Sequence, residues 1–485
     1  MADDIQPYWR NFIDGAWCDG GAGRIQVLDP ATGEPLAEHA CADAGDVDRA
    51  VAAARRCHAA GVLASMRPVE RARLVRGMGE HLLARIDEIA PVLTRESGKP
   101  LWEARLEVEG AARYFEYYGA LAESMNGRSI PLGDAYVDFT RFEPYGVSAQ
   151  IIPWNYPIEM TARSLAPALA VGNACVVKTP ELDPLTNGYI AEAALAVGLP
   201  AGALNLLCGV GPVAGAALAS HAGVDQIVFT GSVATGIAVA TAAARNVVPC
   251  VLELGGKSAA IVFADADLEQ VLSSVRWGAF FNAGQACSAM SRLLVHSSRH
   301  DEVLQVISAM AQGLSVGPGL ERAEFGPNMG ALISHQQLNK VAAMTAQALS
   351  DGARAITGAR TLPGPGCFFQ PTILADVTAA MAIAREEVFG PVLTVTAFDT
   401  DAQAITMANG TDYGLVGGVF TRDIDHALRS ARQLRAGQVF VNEWFAGGVE
   451  TPFGGVGKSG YGREKGREAL ANYGRTKNIA IALRT

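Results

Sequence analysis

Paired cysteines are missing from this sequence. Its eight cysteines, Cys18, Cys41, Cys57, Cys175, Cys208, Cys250, Cys287 and Cys367, are scattered with no Cys-x-x-Cys spacing. That excludes a zinc knuckle and a disulfide framework, no metal is expected, and a reducing cytoplasm fits best. Long apolar runs are missing too. Each is broken by Gly, Pro or charge well short of membrane-spanning length, so no membrane partner is expected. Basic charge is in deficit, with 39 Lys and Arg against 49 Asp and Glu, a net charge of −10. This argues against a nucleic-acid surface. There is no internal repeat, low-complexity tract or charged tail. The acidic start, Met1-Ala2-Asp3-Asp4, is not that of a secretory or mitochondrial leader.

At 485 residues the chain exceeds what one core organises, so two or three domains are expected. A hairpin is read at residues 10–17 with Asp14-Gly15 at its turn, then a strand at 24–29. Asp46 reads as the cap of a long helix, Pro68 as the opening of another reaching about Glu96, and a third runs from Leu101 to about Met125. A short β-rich excursion follows at 136–142. From Gly146, buried strands at 147–152, 174–177, 204–207, 226–229 and 250–254 alternate with helices near 157–171, 184–197, 212–221 and 232–244. That alternation argues for a doubly wound parallel sheet, which binds ligands at the carboxyl ends of its strands. Beyond Gly255 a second α/β unit begins. Gly209-x-Gly211-x-x-x-Gly215 is a weak dinucleotide signature on its own. Gly256-Lys257-Ser258 and Gly457-Lys458-Ser459 imitate phosphate-loop endings, but the required first glycine is Val251 or Pro452.

Two stretches carry chemistry. In Phe280-Phe281-Asn282-Ala283-Gly284-Gln285-Ala286-Cys287-Ser288, an apolar run ends and a cysteine sits among small residues before a β-rich segment. Cys287 there is either an accessible nucleophile or a packing cysteine. In Val251-Leu252-Glu253-Leu254-Gly255-Gly256, a carboxylate lies inside an apolar strand. Desolvation would raise its pKa and suit it to general-base work, unless Lys257 or backbone donors neutralise it.

Taken together, these two stretches resemble the aldehyde dehydrogenase superfamily. So do Pro153-Trp154-Asn155, Lys178-Thr179-Pro180-Glu181, Phe229-Thr230-Gly231-Ser232, Glu386-Glu387-Val388-Phe389-Gly390-Pro391 and Pro452-Phe453-Gly454-Gly455. The resemblance extends along essentially the whole chain and points to the hydrolytic, NAD-dependent members, in a semialdehyde or betaine-aldehyde branch. It implies an NAD-binding domain at 1–125 and 146–255, a catalytic domain at 256–465 and a β oligomerisation arm at 126–145 and 470–485, with a homodimer or homotetramer as the assembly. Cys287 would add to the aldehyde carbonyl. Asn155 and the backbone N–H of Cys287 would face the oxyanion, although Asn155 also reads as a helix N-cap. Glu253 would activate the water that cuts the thioester, which argues against a coenzyme A-acylating relative.

For NAD, Glu181 would take the adenine ribose hydroxyls and repel a 2′-phosphate, with Lys178 beside it. Read without the family, these are a surface ion pair of little worth. Gly231-Ser232 opens a helix toward the pyrophosphate. Glu387 and Phe389 would hold the nicotinamide ribose, and Ile151, Pro153, Trp154, Gly211, Phe229, Leu254 and Gly255 would line the cofactor. A non-catalytic structural member of the fold would lack Cys287, Glu253 or Asn155, and all three are present. An esterase using Cys287 would turn over without NAD.

The substrate reading rests on Arg163. On a helix from Pro157, Glu159, Met160 and Arg163 share a face that would line the substrate tunnel. An arginine there suits a carboxylate, resembling the succinic semialdehyde dehydrogenases, so a carboxylate-bearing semialdehyde is the first expectation. Ser288-Ala289 departs from that subgroup's second cysteine, and Glu159 is a rival partner for Arg163. Tyr156, Trp444 and Phe445 would instead frame an aromatic aldehyde. A cationic aldehyde ranks last, because Arg163 would repel it.

Overall fold

The computed structural model describes residues 5–484; residues 1–4 and 485, including the acidic start and the arm's last residue, lie outside the described residues. Strands that are apolar on both faces need covering on both faces. Five of them, Cys250–Glu253, Gln226–Thr230, Val147–Ile151, Ala174–Thr179 and Leu204–Cys208, lie side by side in that order, all parallel. The chain enters at Val147–Ile151, winds outward to Leu204–Cys208, and then crosses to the other side. Strand order therefore reverses between Val147–Ile151 and Gln226–Thr230, where sheets of this kind open a ligand crevice. The hairpin Asn11–Ile13 and Ala16–Cys18 extends one edge, with Asp14 and Gly15 at positive φ in its turn.

The second sheet has seven strands. Thr372–Ala375, Val392–Phe398, Met290–His296, Ser258–Val262, Val416–Phe420 and Gln438–Val441 are parallel, and Arg354–Thr357 lies antiparallel at one edge. A third sheet pairs Gly474–Ala482 antiparallel with Tyr136–Pro144 along the full length of both, with Ser129–Ile130 behind. This β arm starts its last strand at Gly474, and its outer strand is mostly exposed, including Ile481.

Several sequence boundaries shift, each for a local reason. Gly460–Tyr461, placed by sequence in the second unit, pairs antiparallel with Cys250–Glu253 and closes the other edge of the first sheet. Asp43, not Asp46, is the first long helix's N-cap; Asp46 is the reciprocal partner in a capping box. The helix expected from Pro68 to Glu96 is two, Pro68–Ala84 and Ile86–Ser97, separated at Arg85. No described helix is long and apolar enough to cross a membrane.

Candidate active site

The helix Leu268–Phe280, capped by Asp267, runs into a short turn, Phe281–Gly284, and Cys287 follows just before the strand Met290–His296. Asn282, Ala283 and Gly284 all take left-handed backbone, with φ of 49°, 52° and 71°. Two consecutive non-glycine residues in that region are costly and persist only when neighbours hold them. Here the holders are identifiable. Glu103 accepts from Asn282 N at 2.9 Å, Asn282 Nδ2 donates to Asn155 O at 2.8 Å, and Gln285 Oε1 accepts from Ile333 N at 3.0 Å. Gly284 lies so close to the Gly390 carbonyl that a β-carbon would collide. The loop presenting Cys287 is thus braced on several sides. Sequence reading missed Glu103, Asn282 and Gln285, because their partners are more than forty residues away.

Asn155 does not cap the helix that follows it. The helix Pro157–Val171 begins after Tyr156 with no side-chain cap of its own. Glu107, from the helix Leu101–Leu121, instead accepts from Glu159 N at 3.4 Å. With the cap supplied from outside, the Asn155 amide turns away and donates to Gln285 O at 3.0 Å, two residues before Cys287. Lys99 Nζ, buried and paired with Glu107, donates to Asn155 O at 3.0 Å and fixes that backbone. Removing one partner of such a buried pair typically costs about 3–5 kcal/mol.

Burial pushes the Cys287 thiol up to about 12; Arg163 and the Ser288 N–H act in the opposite sense, and Glu253 adds to the rise. Glu253, at the end of Cys250–Glu253, is 1% exposed and also raised, first by desolvation, with Arg163 lowering it. Neither of its oxygens is hydrogen-bonded within the protein. Lys257 does not neutralise it: that amine is buried without a hydrogen-bond partner and falls to about 7, chiefly through burial. Gly454 makes room for the carboxylate, since a β-carbon there would press on Glu253 Oε1.

A cavity of about 450 Å³ opens on Cys287, within the range of about 300–1,000 Å³ usual for small-molecule sites. Tyr156, Met160, Arg163, Trp444 and Phe445 all line it. So do Trp277, Phe281 and Phe453, which sequence reading did not single out. Phe281 stacks on Tyr156 with centroids 6.3 Å apart and meets Trp277 at 5.3 Å. Trp444 Nε1 donates to Ser288 O at 3.1 Å, so the aromatic wall is tied to the cysteine loop.

Arg163 requires a correction. Its ion-pair partner is Glu464, not Glu159, and it also stands 3.9 Å from Glu253. Much of its charge is therefore already answered, which weakens both its expected grip on a carboxylate and its expected repulsion of a cation. Glu464 had no signal of its own in the sequence; only the loop's return to the first sheet brings it here.

The residues expected to meet NAD lie at the carboxyl ends of four adjacent strands and on the facing loops. Ile151, Pro153 and Trp154 follow the first, and Lys178 and Glu181 the second, joined at 2.5 Å. Gly211 follows the third and donates its N–H to Glu181 Oε1 at 3.3 Å. Phe229, Gly231 and Ser232 end the fourth, where Ser232 caps the helix Val233–Ala244. From the second unit, Glu387 Oε1 accepts from Gly256 N at 2.9 Å, an approach that a side chain at Gly255 would obstruct. Phe389 packs edge-on against Trp154 at 5.2 Å, and Leu254 is buried alongside. A half-buried acid beside a lysine, a capped helix start and a second carboxylate at the opposite rim form a donor and acceptor set that fits a dinucleotide. Among the described residues no group of three or more His, Cys, Asp or Glu side chains is placed to hold a metal ion.

Comparison with known proteins agrees with this arrangement. The aldehyde dehydrogenase family model matches residues 17–479. A betaine aldehyde dehydrogenase of Cereibacter sphaeroides is 41% identical over 480 residues, 99% of this chain and 98% of that protein. Human retinal dehydrogenase 2 is 39% identical, covering 98% of this chain and 92% of its own length. A solved structure of P. syringae indole-3-acetaldehyde dehydrogenase, in complex with NAD+ and IAA, superposes with a TM-score of 0.97 at 37% identity, covering 99% of this chain and 98% of that one. By its motifs, its two sheets and the braced cysteine between them, the chain belongs to the aldehyde dehydrogenase family.

Proposed function

We propose that the chain oxidises an aromatic aldehyde to the carboxylic acid with NAD, using Cys287 as nucleophile, Glu253 as base and Asn155 as oxyanion donor. Cys287 releases its thiol proton to solvent as its sulfur bonds to the aldehyde carbon, and the carbonyl electrons move to oxygen, toward the Asn155 amide and the Cys287 N–H. When bound, NAD supplies the hydride acceptor, leaving a thioester on Cys287. Water then gives a proton to Glu253 as its oxygen bonds the thioester carbon. The C–S bond breaks, its electrons leave on sulfur, and the acid departs. The observation that carries the substrate class is the wall of aromatic rings around Cys287, which favours a flat apolar substrate.

A carboxylate-bearing semialdehyde is the second reading. Lys465 favours it: this ammonium lies on the cavity wall, and among the described residues no carboxylate comes within ion-pair distance of it. Steady-state NADH formation separates the two. An arylacetaldehyde is expected to exceed succinic semialdehyde in kcat/KM by roughly tenfold or more, the discrimination a well-filled apolar pocket gives. The reverse order would favour the acid.

Cofactor choice is a separate prediction. Glu181 should give NAD the higher kcat/KM, and Glu181→Gln should narrow the gap to NADP by roughly tenfold through lost ribose binding and lost repulsion. A wild-type preference for NADP would remove Glu181 from the ribose. The exposed outer strand Gly474–Ala482 offers unpaired backbone and suits pairing between copies in a dimer or tetramer. Eight free thiols suit a reducing cytoplasm.

A further inference from the structure

Arg163 lies on the helix Pro157–Val171, with its guanidinium beside two carboxylates and on the wall of the cavity that Cys287 lines. It is paired with Glu464, it stands 3.9 Å from Glu253, and Cys287 lines the same cavity. The side chain is 5% exposed, and its guanidinium lies over the Phe453 ring at 4.7 Å. Glu464 is held in turn: Ser164 Oγ donates to its Oε1 at 3.2 Å, and its backbone bridges Phe453 in both directions at 2.7 Å. A cation fixed this way has little freedom to follow a substrate. Its place is set by the protein, before any ligand arrives.

We propose that Arg163 is a positioning residue for the base: clamped by Glu464 and Phe453, it supplies the fixed positive charge that favours the Glu253 anion beside Cys287. This rests on the assignment of Cys287 and Glu253 above, but not on the identity of the aldehyde. Glu253 has no hydrogen-bond donor within the protein to stabilise its anion. In such a site the nearest fixed charge decides how much of the base is available. The other charged groups facing this cluster are Glu159 from the same helix and Arg463 and Lys465 from the returning loop. Tyr114 comes from the helix Leu101–Leu121. Arg463 also favours the Glu253 anion, while Glu464 opposes it, so Arg163 is the larger of two favourable contributions. The guanidinium also favours the Cys287 thiolate, and its loss should weaken base and nucleophile in the same direction.

The experiment compares wild type with Arg163→Leu, Arg163→Lys and the double variant Arg163→Leu/Glu464→Gln. Each is assayed with an uncharged aldehyde and with succinic semialdehyde across pH. The double variant guards against misfolding, since it removes both members of the buried pair and leaves neither Arg163 nor Glu464 unpaired. Arg163→Leu should lower kcat near pH 7 by roughly tenfold or more for both aldehydes, and the double variant by less, because it also removes the Glu464 charge that opposes the Glu253 anion. KM should stay within about threefold, and the acidic limb of kcat should rise by about one pH unit in Arg163→Leu. Arg163→Lys should restore part of the rate and move the limb back. If KM rises for the acid alone while kcat and the limb hold, Arg163 grips the substrate and the proposal fails. If kcat falls in Arg163→Leu with an unmoved limb, or Arg163→Lys does not move the limb back, Arg163 is only packing and the proposal also fails. Loss of NADH formation in wild type itself would instead sink the dehydrogenase reading.

Discussion

Cys287→Ala is expected to abolish NADH formation, leaving less than about a thousandth of the wild-type rate, because the covalent intermediate of the proposed reaction forms on its sulfur. Of the eight cysteines, Cys287 is the one that lines the cavity with the aromatic rings. Cys41, Cys57, Cys175, Cys208 and Cys367 are buried elsewhere; Cys18 lies on one edge strand of the first sheet and Cys250 on the strand next to the other edge. The variant should still bind NAD, which cofactor fluorescence quenching checks. Retained turnover would remove Cys287 from the mechanism.

The same thiol gives a pH expectation. Burial pushes it up to about 12, above an ordinary cysteine, so the ligand-free protein holds it protonated at neutral pH. A raised pKa means the thiolate fraction climbs about tenfold per pH unit until the pKa is approached. Iodoacetamide labelling of Cys287, followed by peptide mass, should therefore keep rising through pH 9 without a plateau. A plateau near pH 7 would mean that Arg163 and the Ser288 N–H outweigh burial.

The fold was legible because it rests on local patterns. Runs such as Val147–Ile151 and Gln226–Thr230, punctuated by helices, announce a parallel sheet, and the family motifs sit in the loops that follow its strands. The placement of Cys287 and Glu253 was legible as well, Cys287 on a tight link between helix and strand and Glu253 at the end of an apolar strand, since each is an odd residue in its own short context. What stayed hidden was whatever depends on chain reversal. The helix cap that frees Asn155 comes from Glu107, and the brace of the cysteine loop comes from Glu103; both lie on the helix Leu101–Leu121, which sequence treated as structural. Arg163 shows the limit most clearly. Helical spacing placed it on the tunnel face, where it lies, and offered Glu159 as its rival partner. Its actual partner, Glu464, is 301 positions away and arrives only because Gly460–Tyr461 returns to the edge of the first sheet.

Glu253→Gln is expected to split the reaction in two. The substitution keeps the size of the side chain, so packing against Gly454 should persist, and Arg163 keeps Glu464 as a partner. What is lost is the capacity to take a proton from water. Acylation needs the Cys287 sulfur and the oxyanion donors, so the first turnover should proceed and release close to one NADH per active site. Deacylation should then stall, with the steady-state rate down by about 10²- to 10⁴-fold, the usual worth of a general base. In wild type the Glu253 carboxyl is raised, first by desolvation, with Arg163 pulling it partly back. A raised carboxylate must still lose its proton to act, so kcat should fall on the acid side at a higher pH than an ordinary glutamate would give. That limb should vanish from the residual rate of Glu253→Gln. Rapid mixing with NADH absorbance reads both phases. Steady-state turnover equal to wild type would remove Glu253 as the base. A missing burst would show that Glu253 acts chiefly on the Cys287 proton during acylation, making thiolate formation rather than thioester hydrolysis the step that this buried carboxylate controls.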